Sequence, residues 1–304
     1  MRLTITHDTH YRYTPRVDLA QHIGHLRPRD WPTQRVLSSS LDISPTPDWM
    51  EENLDVFGNL RTAFAIRDPH AFLHVRATSV VETLRCDEQS ASPPWEAVRE
   101  YLRYRCGAHW EPATGFSFPS PHVQAHPEFL TFNQDIFTPG RSLLDAAIAL
   151  MQKIHQQLRY RSFSTDIHTP AHEALAQREG VCQDFAHIFL SCAISAGLAA
   201  RYVSGYLLTI PPDGQPRLIG SDASHAWVSV YLPRLTDDGL AAGGQWVDLD
   251  PTNNRWGVGS PGEDYVTLAI GRDYSDVSPL RGVIRGGASH SLDVGVTVTE
   301  GEAS

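Results

Sequence analysis

Gly180-Val181-Cys182-Gln183-Asp184-Phe185-Ala186-His187 runs straight into Ile188-Phe189-Leu190, and this stretch decides the fold. From 183 to 196 apolar residues fall on most sides, and a helix apolar nearly all round is buried. Gly180 precedes it and Gly197 stops it. The spacing therefore predicts a central core helix with a thiol at its head. Ser224-His225-Ala226-Trp227 follows 43 residues after Cys182, and Asp250-Pro251-Thr252 comes 25 after His225. In that order a thiol, an imidazole and a carboxylate read as a nucleophile, its base and the group that orients the base.

Each of the three has a physical reason for its place. Unpaired N–H groups and the dipole at a helix start favour a thiolate over a thiol, whose pKa begins near ~8.5. His225 shares a strand face with Trp227, Ser229 and Tyr231, while Ala226, Val228, Val230 and Leu232 face the other way. That alternation makes His225 and Trp227 expected walls of a cleft. Asp248 and Asp250 lie on one face of the next strand, two residues apart, and either could receive the imidazole N–H. Asp250 closes the strand, whereas Asp248 otherwise reads as a solvated position. The oxyanion donors expected are the Cys182 backbone N–H and a side chain, Tyr160 first and Gln183 behind it. Asp184 and His187, three apart on the helix, read as a structural pair.

Working outward, residues 200–208, 223–232, 245–250, 265–270 and 292–298 carry strand signals. On the other side, Leu143, Leu144, Ala147, Ile148, Met151, Ile154 and Leu158 recur at helical spacing behind a Ser142–Asp145 capping pattern. Thr169-Pro170 starts a short helix that Gly180 is expected to end. Residues 1–85 alternate as strands punctuated by turns such as Phe57-Gly58-Asn59. The expected division is a β-rich N-terminal domain over 1–90, a connecting segment over 91–140 with a short helix near Trp95, and a catalytic core with C-terminal strands over 141–304. Helices followed by a run of antiparallel strands make the class α+β, a central helix packed on a sheet.

Composition narrows the rest. The 304 residues are 41% hydrophobic and 20% charged, as in soluble globular proteins. A net charge of -10 and a pI near 5.8 disfavour nucleic acid and anionic membranes as partners. The N-terminus alternates like a strand and lacks a signal-peptide core, and no apolar run approaches the roughly 20 residues of a spanning helix. Four cysteines without a CxxC pair argue against a disulfide or zinc scaffold. Cys182 and Cys192 stand about 15 Å apart by helical rise, too far to bridge. Cys86 and Cys192 read as core residues, and Cys106 has no apparent partner. A reduced cytoplasmic protein without cofactor is the expectation.

Four ordered blocks over 75 residues carry a resemblance: 180–187, Ala200-Arg201-Tyr202-Val203-Ser204-Gly205-Tyr206, Ser224-His225-Ala226-Trp227-Val228, and Trp246-Val247-Asp248-Leu249-Asp250-Pro251-Thr252-Asn253-Asn254. The chain resembles the transglutaminase-like superfamily, in its bacterial branch often described as cysteine proteases. Asp55-Val56-Phe57-Gly58-Asn59 and Gly271-Arg272-Asp273-Tyr274-Ser275-Asp276-Val277 are similar to the regions flanking the core in that branch. The resemblance implies a papain-like fold and a triad at Cys182, His225 and Asp250, and so favours Asp250 over Asp248. A longer segment than expected, residues 233–244, is anticipated as a loop at the site rim. Calcium-dependent relatives need acidic metal loops, and no such spacing is present, so metal independence is expected.

Three functions follow for testing. The first is a thiol hydrolase cleaving an amide or isopeptide bond in a peptide or protein. The second is a transglutaminase, a protein-glutamine γ-glutamyltransferase in which an amine replaces water. The third is a non-catalytic binding module, ranked last because no triad residue is missing.

Overall fold

The computed structural model describes residues 1–86, 92–103, 106, 110–162, 164–167, 169–209, 224–236, 241–286 and 289–301. The chain opens with six strands: β1 (Arg2–Val17), β2 (Leu19–Gly24), β3 (Gln34–Ser44), β4 (Trp49–Leu54), β5 (Leu60–Ile66) and β6 (His70–Thr83). Helices α1 (Trp95–Leu102), α2 (Pro127–Phe132) and α3 (Leu143–Gln157) follow, with a 3₁₀ turn at Pro112–Ser117. Two short strands, β7 (Arg159–Tyr160) and β8 (Glu179–Gly180), flank α4 (Ala171–Gln177), and α5 (Cys182–Ser195) comes next. The remainder is β9 (Ala200–Leu207), β10 (Ser224–Leu235), β11 (Ala241–Asp250), β12 (Arg255–Val258), β13 (Tyr265–Gly271), α6 (Tyr274–Val277), β14 (Leu280–Arg285) and β15 (Ser289–Glu300).

The core is the expected α+β arrangement. An antiparallel sheet ordered β12-β11-β10-β9-β13 carries α3 and α5 on one face. Phe185, Ala186, Ile188, Phe189, Leu190 and Cys192 are all essentially inaccessible, so α5 is enclosed on every side, as its composition requires. Ala226, Val228, Val230, Val247 and Leu249 complete that cluster from the sheet. Ser142 accepts the Asp145 N–H at 3.1 Å, the cap read from the sequence. The short helix α4 ends one turn earlier than anticipated: Arg178 turns left-handed at φ 57°, and Gly180 lies in β8.

The division into domains needs correcting. β14 pairs with β2, and β15 pairs with β1 from Leu3↔Glu300 to Thr14↔Ser289. The last strands therefore complete the two N-terminal sheets, β15-β1-β6-β3 and β14-β2-β5-β4, rather than extending the catalytic core. Val296 and Val298 bury against Leu3 and Ile5, which explains why 292–298 alternates so strictly. Nor is 91–140 a mere connector, because Val98, Leu102, Phe129, Phe132 and Ile136 insert into the core cluster. The expected rim loop at 233–244 is largely strand: Pro233 pairs with Gly244 and Leu235 with Ala241, while 237–240 lie outside the described residues.

The β-domain covers the second face of the sheet and is fastened to its edge strand. The Gln34 amide donates to Thr267 O and accepts from Thr267 N, each at 2.8 Å. Asn59 does the same with Ile270, at 2.7 and 2.8 Å. Asp55 holds Asn59 in place through its side-chain amide at 2.8 Å. The Asp55–Asn59 motif is thus a clamp that pairs an otherwise open strand edge.

Candidate active site

Cys182 is the first residue of α5, and its half-buried sulfur lies where the helix meets the end of the sheet. The start of α5 is held by Asp184, whose carboxylate accepts Val181 N–H at 2.7 Å and the Thr165 hydroxyl at 2.6 Å. Valine has no acceptor to return, so only this half of a capping box exists. Gly180 makes it possible: a Cβ there would stand 2.8 Å from both Cβ and Oδ2 of Asp184. Asp184 and His187 do not pair with each other, contrary to expectation. His187 instead accepts Tyr274 N–H at 3.2 Å and stacks on His122 at 5.2 Å. Burial, only partly opposed by Asp273, brings His187 down to about 3, so it is neutral and structural.

Opposite the sulfur stands His225, near the start of β10. Its Nε2 lies 2.7 Å from Asp250 Oδ2. Cys182 acts on the same imidazole through its charge and a side-chain hydrogen bond, both favouring the protonated ring. Burial works to lower the His225 pKa, but Asp250 and Cys182 overcome it and push the group up to about 10. Asp250 is fully buried. Its Oδ2 also accepts Asn253 Nδ2 at 2.7 Å and the Tyr265 hydroxyl at 2.8 Å, and its Oδ1 accepts the N–H groups of Thr252 and Asn253. Burial alone would raise this carboxyl; His225 and the hydrogen bonds instead hold it below the usual carboxylate range.

Asn253 and Tyr265 were not singled out by sequence reasoning. Asn253 lies inside the quoted 246–254 block, and an aspartate opening a turn with asparagine three residues on is a recognisable Asx signal. Tyr265 comes from β13, and nothing in one dimension places it beside Asp250.

Two expectations fail here. Trp227 is no cleft wall: it is wholly enclosed, donates its indole N–H to Asp248 at 2.8 Å, and packs on Tyr265 at 5.4 Å. The N-terminal domain covers the sheet face that alternation alone leaves open. Gly205, across the ladder from His225, is the space the Trp227 ring occupies; a side chain there would collide with it. Asp248 is likewise buried rather than solvated, accepting from Trp227 and Ser229, and it does not touch His225. Tyr160 is half-exposed on β7, paired with Gly180 two residues before the thiol, its ring edge toward Phe185. Gln183 is partly exposed on the first turn of α5.

The other thiols sit elsewhere. Burial pushes Cys192 up, Cys106 is exposed, and Cys86 is partly buried; all four cysteines are free. Among the described residues one group, Asp8, His10 and His74, brings metal-ligand atoms together, on β1 and β6. Its two imidazoles stack at 3.9 Å with 10° between planes, so their in-plane lone pairs run parallel instead of converging. Asp8 is occupied by Arg76 at 2.7 Å. No helix among the described residues is long and apolar enough to cross a membrane.

Comparison with known proteins finds relatives for both regions of the chain. Residues 3–82 match the bacterial transglutaminase-like N-terminal region, and residues 131–251 match the transglutaminase-like superfamily. An uncharacterised protein of Mycobacterium tuberculosis is 36% identical over 99% of this chain and 94% of its own length. One of Mycobacterium leprae is 29% identical over 98% of both. A crystal structure from Cytophaga hutchinsonii, provisionally named a cysteine protease, shares the fold at a TM-score of 0.70 and 21% identity, covering 100% of this chain and 92% of that one. The chain belongs to the transglutaminase-like superfamily, in the bacterial branch that carries its own N-terminal β-region.

Proposed function

We propose that this protein is a cysteine-dependent acyl-transfer enzyme that opens an amide or isopeptide bond in a peptide or protein, with Cys182, His225 and Asp250 as its triad. One observation carries the reading: a single imidazole bridges a helix-leading thiol and a buried carboxylate that is itself fixed by Tyr265 and Asn253. The Cys182 sulfur attacks the carbonyl carbon, and His225 delivers its proton to the departing nitrogen, leaving a thioester. Neutral His225 then takes a proton from water, which attacks the thioester and releases the acid and the free thiol. An amine in place of water gives transamidation. The Cys182 N–H and either Tyr160 or Gln183 would steady the oxyanion. No metal takes part in these steps. The four free thiols favour a reducing compartment such as the cytoplasm.

The test begins with brief iodoacetamide treatment and mapping of the labelled cysteine. Cys182 should react first, ahead of Cys86, Cys106 and Cys192. A peptide library is then incubated with wild type and Cys182→Ala, with and without a fluorescent primary amine. Cleavage lost in Cys182→Ala supports the hydrolase; amine incorporated into product selects transglutaminase. An inert Cys182 at neutral pH, with another cysteine labelled, would sink the mechanism.

A further inference from the structure

Between the β-domain and the sheet face it covers lies a cavity of about 410 Å³, lined by Trp31, Thr33, Arg201, Trp246, Asp248 and Ile270 among others. It is separate from the site above, because the enclosed Trp227 stands between His225 and the Arg201–Ser229–Asp248 row of the sheet. His225 and Ser229 are four positions apart on β10, roughly 13 Å of extended chain.

Arg201 presents its guanidinium here, 4.0 Å from the centre of the Trp246 ring and 5.8 Å from that of Trp31. Arg29 covers Trp31 as well, at 4.0 Å. Among the described residues, Arg201 Nε, Arg29 Nε and Trp31 Nε1 are all buried with no hydrogen-bond partner. Guanidinium and indole nitrogens only donate, so nothing within this trio can satisfy the others. No carboxylate among the described residues comes within ion-pair distance of Arg201. Asp248, across the sheet, already receives Trp227 and Ser229. Burial, opposed by Asp248 and reinforced by Arg29, brings Arg201 down to about 10, so it is still a cation at neutral pH. Two orphan donors, Arg201 Nε and Trp31 Nε1, belong to lining residues, and Arg29 stacked on Trp31 adds a second cation. With the lining carboxylate of Asp248 already engaged, they call for an acceptor that carries negative charge.

The two indoles, with Val203, Val258 and Ile270, supply an apolar part of the lining, beside polar Thr33, Gln245, Asp248 and Thr267. The volume falls within the range of small-molecule sites. We propose that this cavity binds a small organic carboxylate, its anionic end held by Arg201 and its aromatic or aliphatic body held between Trp31 and Trp246. Arginine suits the role because its planar fork matches a carboxylate and stacks on rings at the same time.

Benzoate is a suitable probe, with benzyl alcohol as its neutral match and inorganic phosphate as an anion without a body. Saturation-transfer NMR and thermal shift should show saturable benzoate binding that raises Tm. Benzyl alcohol and phosphate should bind at least ten-fold more weakly to the same wild-type protein. Arg201→Met should weaken benzoate at least ten-fold, while Cys182→Ala leaves it unchanged. Equal binding of benzyl alcohol or phosphate overturns the proposal, and so does undiminished binding by Arg201→Met. The three-probe comparison decides the matter even if Arg201→Met fails to fold.

Discussion

Asp250 shows how much chemistry one residue can gather and how little of it a sequence displays. Its place two residues beyond Asp248 on the same strand face left the choice between them open, and the family resemblance favoured Asp250. In the structure the choice rests on partners: five hydrogen bonds converge on Asp250, while Asp248 serves Trp227 and Ser229. Asp250→Asn keeps the shape and removes the charge that raises His225. The imidazole pKa then falls from about 10 toward its ordinary value, and the imidazolium beside the sulfur is lost near neutrality. At pH 6.5 the iodoacetamide rate of Cys182 should drop roughly ten-fold or more, since each unit of pKa corresponds to a factor of ten. Peptide cleavage should fall by about 10³ to 10⁴. An unchanged alkylation rate from pH 6 to 9 would contradict this role for the carboxylate.

At the scale of elements, α5 was legible because a buried helix leaves its composition in the sequence, and β10 because alternation survives in one dimension. What the pattern could not supply was the outer partner of each face. His225 and Trp227 share a face, yet one meets the thiol and the other is sealed under the β-domain. The start of α5 depends on Asp184, which reaches the Val181 N–H because Gly180 leaves it room. Gly180→Ala forces Asp184 away and releases the Val181 N–H. We expect a loss of about 1–3 kcal/mol in urea unfolding, the usual cost of overpacking together with a lost cap. Cys182 alkylation should slow in the folded variant as well, because the helix start that presents the sulfur has shifted. Unchanged stability and unchanged alkylation together would show that the close approach is not needed.

Over the whole molecule, buried neutral histidines set the response to acid. Burial brings His7 and His22 in the β-domain down to about 4 and His187 on α5 to about 3, against 6.5 in an open chain. Between pH 6.5 and 4 the unfolded chain therefore binds protons that the folded chain refuses. Stability is fully present above 6.5 and declines as the pH falls through that window, by roughly several kcal/mol for the group. Urea midpoints from pH 7.5 to 4.5 should fall accordingly, and His7→Gln combined with His22→Gln should flatten the slope. A slope identical in wild type and double variant would assign acid sensitivity elsewhere. The domain plan was the least legible level, since strands at opposite ends of the chain announce themselves as strands without naming their partners.

The pairing of β1 with β15 also has a consequence for synthesis. Leu3 meets Glu300, so β1 is made long before β15, the strand that completes its sheet. While the catalytic core emerges from the ribosome, β1 presents an apolar face and an open edge, the kind of surface that invites mispairing. The thioester chemistry proposed for Cys182 thus resides in a unit whose elements are all made before β15, whereas the platform clamped to its edge strand is completed only by β15 itself.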